Sequence, residues 1–266
     1  MDIRRSQIFV AVVMLACPAS TFAESCIAPL NLPKPLENYV AKVEKESGRP
    51  TCIIRQLHLS LPTGAEWRDD RVYNLIVIEP RFDISDPGNE QGIAHEITHG
   101  RLIYGKHYPT YRISDSARPE ERRSVNLLLS TIADAVVNKT IQAEGFTPFP
   151  AGYLGVVKGE AAAALAGQNV YVSMFPDSSF RSKFIAARYL VAWSFLEYCA
   201  LSVNEKDGLE SFLRASEREY PSEIEIAKQV QVAMEHHDIF RSEGYRQAVT
   251  ESLRAWKLDQ FVQEVK

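Results

Sequence analysis

The segment that decides the fold runs from an apolar strand through a turn into a helix: Leu75-Ile76-Val77-Ile78, Asp86-Pro87-Gly88-Asn89 and Gly92-Ile93-Ala94-His95-Glu96-Ile97-Thr98-His99. Four consecutive apolar residues predict a strand that is buried on both faces. Proline, glycine and asparagine in the second stretch predict a turn. The residues that follow predict a helix over 90–104. A strand followed closely by a helix indicates a chain that mixes both kinds of element.

The rest of the chain is predicted to be mostly helical. A short amphipathic helix is expected at 36–46, a β-rich stretch at 51–61 and a strand at 72–78, and residues 169–174 are compatible with one more short strand. Further helices are expected at 120–143, 158–166, 179–202, 205–217, 221–236 and 243–263. Two early strands followed by many helices predict an α+β protein, with a small N-terminal sheet and a mainly helical C-terminal portion.

The first 23 residues have the pattern of a secretory signal. Arg4 and Arg5 precede the apolar run Ile8–Ala16, and Thr21-Phe22-Ala23 supplies the small residues of a cleavage site. We expect cleavage after Ala23 and a secreted or periplasmic protein. The stretch Met14–Cys17 resembles a bacterial lipobox, so a lipoprotein anchored through Cys17 is the alternative.

The mature chain is predicted to divide into 24–177 and 178–266, with no integral membrane segment. The most apolar stretch, 184–203, contains Arg188 and Glu197, which are costly in hydrocarbon, so it is interpreted as a core helix. Lys and Arg number 30 against 34 Asp and Glu, giving a net charge of -4. A chain with this balance has no basic footprint for nucleic acid.

Three cysteines remain after cleavage, and two of them can pair in an oxidising compartment. The preferred disulfide joins Cys26 to Cys52, because it would tie the N-terminus to the first strand. Cys199 lies in an apolar stretch and is expected to be a small buried side chain. Sequence alone leaves the connectivity open.

His95, Glu96 and His99 form the pattern His-Glu-x-x-His on a predicted helix. Residues four apart share a helix face, so the two imidazoles can bind one ion while Glu96 reaches a water beside it. The alternative is a pair of surface histidines on an amphipathic helix. Catalytic zinc takes three protein ligands and keeps one position open, so a third ligand is expected further along the chain.

Asp134 is the preferred third ligand. It lies on the helix predicted at 120–143. One arc of this helix, about 120° wide, carries five polar residues and two apolar ones. The residues of this arc are Leu127, Ser130, Thr131, Asp134, Asn138, Ile141 and Gln142. The arc could be a solvent-exposed face. However, it contains no Lys, Arg or Glu, and a carboxylate among apolar residues needs a compensating cation.

The motif helix and the second helix together resemble the gluzincin metallopeptidases. In that family a Glu of the second helix is the third zinc ligand, and an acid four residues later orients the first motif histidine. Here Asp134 and Asn138 stand at those two positions. The resemblance implies one Zn²⁺ held by His95, His99 and Asp134, with Asn138 behind them and Glu96 as the general base. The pattern Asp-x-x-x-Asn also resembles that of uncharacterised predicted metallopeptidases.

Other histidines and tyrosines are weaker candidates. A metzincin would need Gly and His at the positions of Leu102 and Gly105, so His107 is not a metzincin ligand. It is kept as a fallback ligand or a transition-state donor. Residues 235–238 include two histidines at a predicted helix end, where a second metal site is an alternative to a favourable interaction with the helix terminus. The loop around His107, which follows the motif helix, contains three tyrosines that could donate to an oxyanion: Tyr104, Tyr108 and Tyr111.

The sequence therefore predicts an exported zinc metallopeptidase, a hydrolase that cleaves a peptide or protein substrate. One alternative is a secreted zinc-binding interaction protein without proteolytic activity. The other is a cell-wall peptide amidase. An extended strand beside the motif helix would favour peptide substrates, because a substrate can add to its edge, and Leu75–Ile78 is the expected strand.

Overall fold

The computed structural model describes residues 32–56, 65–70, 72–84, 86–148, 159–160, 162–163, 166 and 170–265. The chain divides into two compact units. One comprises the residues up to His107 together with Thr140–Pro148, and the other comprises Tyr108–Lys139 together with the residues from Phe149 onward. The predicted signal segment, the lipobox and Cys26 lie outside the described residues. Those interpretations, and the predicted division near residue 178, stay predictions.

The first unit combines a three-stranded sheet with two helices. Its elements are α1 (Lys34–Ser47), β1 (Thr51–Arg55), β2 (Ala65–Asp69), β3 (Asn74–Ile78), α2 (Pro87–Gly100) and a π-helical segment (Arg101–Gly105). Gly48 ends α1 in the left-handed conformation, which a residue without a side chain adopts freely. The predictions of a helix at 36–46 and of a helix over 90–104 are confirmed, except that the last turn of the second is π-helical.

The sheet has the strand order β1-β3-β2, with β1 parallel and β2 antiparallel to β3. All five residues of β3 are buried, as expected for a central strand flanked on both sides. The expectation that Leu75–Ile78 offers a free edge is therefore wrong, because β3 has a partner along each side. Among the described strands of this sheet, β1 and β2 are the two edge strands, each paired with β3. No strand was predicted at Ala65–Asp69.

Gly100 allows α2 to approach the sheet closely. A Cβ atom at this position would lie 2.5 Å from Oδ1 of Asn74 and 2.9 Å from Nε1 of Trp67. Both neighbours are buried, and the Asn74 amide is held by Nδ2 donating to Oγ of Ser47. Gly100, the last residue of α2, is therefore packed against β2 and β3 with no room for a side chain.

A buried arginine fixes the π-helical segment. Arg101 donates to the carboxylate of Glu46 at 2.8 Å and to that of Glu144 at 2.9 Å, and it lies beside the hydroxyl of Tyr39. Burial opposes the charge, but the hydrogen bonds to Glu46, Tyr39 and Glu144 outweigh it and raise the pKa of Arg101. The cation therefore holds the end of the motif helix to α1 and to the start of the 144–148 segment.

The second unit is mainly helical. Its elements are β4 (Thr110–Ile113), α3 (Pro119–Ala143), α4 (Val170–Met174), α5 (Ser178–Tyr198), α6 (Val203–Glu219), α7 (Pro221–His236), α8 (Ser242–Ala255), a 3-10 turn (Asp259–Phe261) and β5 (Val262–Val265). The last four residues of α3 are grouped with the first unit. Strand β4 pairs antiparallel with β5. Within the described residues, the architecture is the predicted α+β one.

Two predictions for the second unit need correction. The stretch compatible with a strand at 169–174 forms the short helix α4 over Val170–Met174, in which the buried ring of Tyr171 lies against Phe184 of α5. The helix expected at 243–263 ends at Ala255, and the chain then turns into β5. Most of the helix expected at 158–166 falls on residues that the structure does not describe.

The apolar stretch 184–203 belongs to a core helix, as predicted. Arg188 is buried in α5, and its guanidinium contacts the carboxylate of Glu160 at 2.7 Å, which compensates the buried charge. Among the described helices, none combines the length and the apolar character that crossing a membrane requires. Cys199, the residue after α5, is a free thiol that is partly buried rather than fully buried as expected, and this burial raises its pKa to about 11.

We expect Gly100→Ala to lower the free energy of unfolding by about 1–3 kcal/mol, because the added methyl group overpacks the contact with Asn74 and Trp67. Urea denaturation followed by circular dichroism measures the change. Gly159→Ala is the matched control, since no atom of the described residues lies within 4 Å of a Cβ atom there. Equal effects of the two substitutions would contradict the close approach.

Candidate metal centre

Helix α2 presents His95 and His99 on one side, one turn apart. Their ring centroids are 5.2 Å apart in an edge-to-face arrangement. His99 is buried, with 6% of its surface exposed, and its ring lies 6.3 Å from that of Trp67 on β2. His95 is only partly buried. The interpretation of this pair as two surface histidines is therefore wrong for His99.

Asp134 lies on α3, in the arc that the sequence identified. Four of the five polar residues of this arc, Ser130, Thr131, Asp134 and Asn138, are buried, and the fifth, Gln142, is partly buried; Asp134 is 7% exposed. The hydroxyl groups of Ser130 and Thr131 donate to the carbonyl oxygen of Leu127 within the helix. The interpretation of the arc as a solvent-exposed face is excluded by this burial.

His95, His99 and Asp134 offer ligand atoms that all lie within 4.8 Å of one another. Two ligands of one zinc ion are about 3–4 Å apart in tetrahedral geometry, so this spacing suits a shared ion. Two imidazoles and one carboxylate are a donor set that zinc accepts. A carboxylate as buried as Asp134 also needs positive charge nearby, which a cation shared with two neutral imidazoles would supply. The three residues therefore fit the metal that the sequence predicts.

Glu96 follows His95 on α2 and is held by the backbone of β2. The N–H of Trp67 donates to Oε2 of Glu96 at 2.7 Å, and Glu96 is 9% exposed. A hydrogen bond between an amide and a carboxylate is charge-assisted and fixes the direction of the carboxylate. The backbone of β2 thus orients the carboxylate of Glu96. The sequence did not reveal this contact, because no strand was predicted at the position of β2.

Asn138 lies one turn after Asp134 on α3 and is buried. Within the described part of the chain, its Oδ1 atom is buried without a hydrogen-bond partner. An amide oxygen in this position can accept a hydrogen bond but cannot supply the full charge of a carboxylate. The role of Asn138 in orienting a metal-binding imidazole stays a prediction.

His107 stands apart from the group formed by His95, His99 and Asp134. It is exposed, and its backbone has a φ of 58°, in the left-handed region. It does not contribute to the described set of ligand atoms within 4.8 Å. Its roles as a fallback ligand or as a transition-state donor stay predictions. Cys52 is buried on β1, and its pairing with Cys26 stays a prediction too.

The structure separates the three loop tyrosines. The hydroxyl of Tyr104 donates to Asp69 on β2, and that of Tyr108 donates to the carbonyl oxygen of Ile239. The hydroxyl of Tyr111 is buried without a hydrogen-bond partner among the described residues. Burial raises the pKa of Tyr111, so this hydroxyl keeps its proton near neutral pH.

Tyr245 of α8 is a neighbour of Asp134 that sequence reasoning missed. Burial raises its pKa above the ordinary range for tyrosine, and the charge of Asp134 raises it further. Its ring lies 5.1 Å from that of Tyr108. The surroundings of Asp134 in the second unit therefore include a buried tyrosine that keeps its proton at neutral pH. More than 100 residues separate Tyr245 from Asp134 in the sequence, so no local pattern connects them.

The comparisons with known proteins give no relative. No protein-family model matches the chain, and no match was found among the curated proteins or the solved structures.

We expect the mature protein to bind zinc through His95, His99 and Asp134. The variant His99→Ala should bind one zinc fewer per chain, because it lacks one of these three ligands. Elemental analysis after dialysis without chelator measures the metal. His107→Ala is the matched control and should keep the metal. Retention of all zinc by His99→Ala would show that the motif histidines do not hold it.

Proposed function

We propose that the protein is an exported zinc-dependent peptidase. The observation that carries this proposal is the convergence of His95, His99 and Asp134, with ligand atoms within 4.8 Å, beside a Glu96 carboxylate fixed by β2. When bound, zinc acts as a Lewis acid toward a carbonyl oxygen and lowers the pKa of water. His95, His99 and Asp134 would hold it. Export is supported by the N-terminal sequence pattern alone.

Glu96 is the proposed general base. Its carboxylate accepts the hydrogen bond from the N–H of Trp67 and, in its ionised form, can take a proton from the attacking water. The same carboxylate then carries that proton to the leaving amine as the peptide bond breaks. Because one oxygen is held by the edge strand, the direction of this transfer is set before substrate binds.

Strand β2 supports a peptide as the substrate. The N–H of Trp67 donates to Oε2 of Glu96, so β2 runs beside the motif helix at the proposed general base. An extended strand beside the motif helix favours a peptide substrate, because an extended peptide can align along a strand, and here it would lie next to Glu96.

We expect Glu96→Gln to keep its zinc and to lose peptide cleavage by about 10²–10⁴-fold, because the amide accepts no proton at neutral pH. Cleavage of a mixture of unstructured peptides, followed by mass spectrometry, measures the rate. Glu90→Gln, six residues earlier on α2, is the matched control and should cleave at the wild-type rate.

The same assay separates the alternatives. Cleavage of peptidoglycan stem peptides but not of ordinary peptides would point to a cell-wall amidase. Zinc binding with no cleavage of either substrate by the wild-type protein would contradict the peptidase proposal and favour an interaction protein.

A further inference from the structure

We propose that His236, His237 and Glu251 form a second binding site, for a borderline divalent transition metal ion such as Zn²⁺. This site lies entirely in the helical unit and uses none of the residues of the candidate centre on α2 and α3. It does not depend on the proposed function, because the two groups share no side chain and each is removed by its own substitutions.

The end of α7 brings two adjacent histidines to the same place. Neighbouring residues on a helix point in directions about 100° apart and do not share a face. His236 is the last residue of α7, whereas His237 has left the helix with φ and ψ of -110° and 139°. This change of direction stacks the two imidazoles, with centroids 4.8 Å apart and planes inclined by 30°. The helix end thus creates a paired donor set that a continuous helix would not.

Glu251 of α8 completes the group. Its Oε1 atom lies 2.9 Å from Nε2 of His237, and one ligand atom from each of the three residues lies within 4.8 Å of the others. The side chain of His237 is 15% exposed, so its position is set by packing, whereas His236 and Glu251 are exposed and can adjust. One fixed ligand and two adaptable ones can close on an ion without moving the helices.

The electrostatic surroundings favour a cation. The carbonyl groups at the end of α7 carry partial negative charge, and Glu251 adds a full one. The next residue, Asp238, is already engaged, because its carboxylate accepts from the N–H of Phe240 and contacts the guanidinium of Arg241 at 3.1 Å. Asp238 is therefore engaged with other partners, and the ligand group consists of the two imidazoles and Glu251.

The donor set indicates the class of metal. Imidazole nitrogens suit zinc, nickel, cobalt and copper, whereas calcium and magnesium prefer sites made of oxygen. Three protein ligands on an accessible surface leave at least one position for water. An ion bound here would clip the end of α7 to the middle of α8, which the short segment 237–241 already joins.

The test is the zinc content of the full mature chain, measured by equilibrium dialysis at increasing free Zn²⁺ in the wild type and in the double variant His236→Asn/Glu251→Gln. Both substituted residues are exposed, so the variant should fold, and circular dichroism checks this. We expect the wild type to bind one more zinc per chain than the variant, or to fill that site at zinc concentrations about tenfold lower.

Glu235→Gln is the matched control, because Glu235 is at the same helix end and outside the group; its carboxylate accepts from Gln231. It should bind as much zinc as the wild type. Equal binding by the wild type and the double variant would overturn the proposal and reduce the group to an ordinary ion pair between His237 and Glu251. His99→Ala removes the other zinc only, so failure of either site is recognised separately.

Discussion

The hydrogen bond from the N–H of Trp67 to the carboxylate of Glu96 is the interaction on which the arrangement of the first unit depends. It joins strand β2 to the helix that carries both motif histidines, and its donor is a backbone N–H, which among the natural residues only proline at position 67 would remove. The absence of a side chain at Gly100 lets the helix lie close enough for the bond to form. A helix displaced by the width of one methyl group would separate Glu96 from β2 and change the direction of its carboxylate.

The second constraint is that each buried charged side chain needs a partner of opposite charge. Glu66 is buried on β2 because Arg68, two residues later on the same strand, contacts its carboxylate at 3.2 Å. Arg101 and Arg188 are compensated in the same way by carboxylates. An unpaired charge in these positions would cost several kcal/mol, so each pair specifies its neighbours as strongly as an apolar contact does. Asp134 belongs to this class of buried charges, and two imidazoles with a shared ion would be its compensation.

Sequence patterns predicted the elements whose burial is continuous or periodic. The apolar run of β3, the motif helix and the polar arc of α3 were identified because each contains its own signal. Strand β2 was missed because Glu66, Arg68 and Asp69 are charged, and only tertiary pairing makes Glu66 a buried residue. The short helix α4 was expected as a strand because Val170, Tyr171 and Val172 favour strands, yet the packing of Tyr171 outweighs that preference. Tyr245 could not be linked to Asp134, because nothing local in the sequence relates them.

The small sheet of the second unit joins distant parts of the chain. Thr110 is paired with Val265, and Ile113 with Val262, so about 150 residues separate the two strands. A contact between residues so far apart closes a long loop, which costs conformational entropy. Helices that form between the two strands order the intervening chain and so lower this cost. During synthesis β4 leaves the ribosome long before its partner does. The stretch that follows the motif helix therefore remains without its strand partner until translation has reached residue 265, and this pairing is among the last steps of folding.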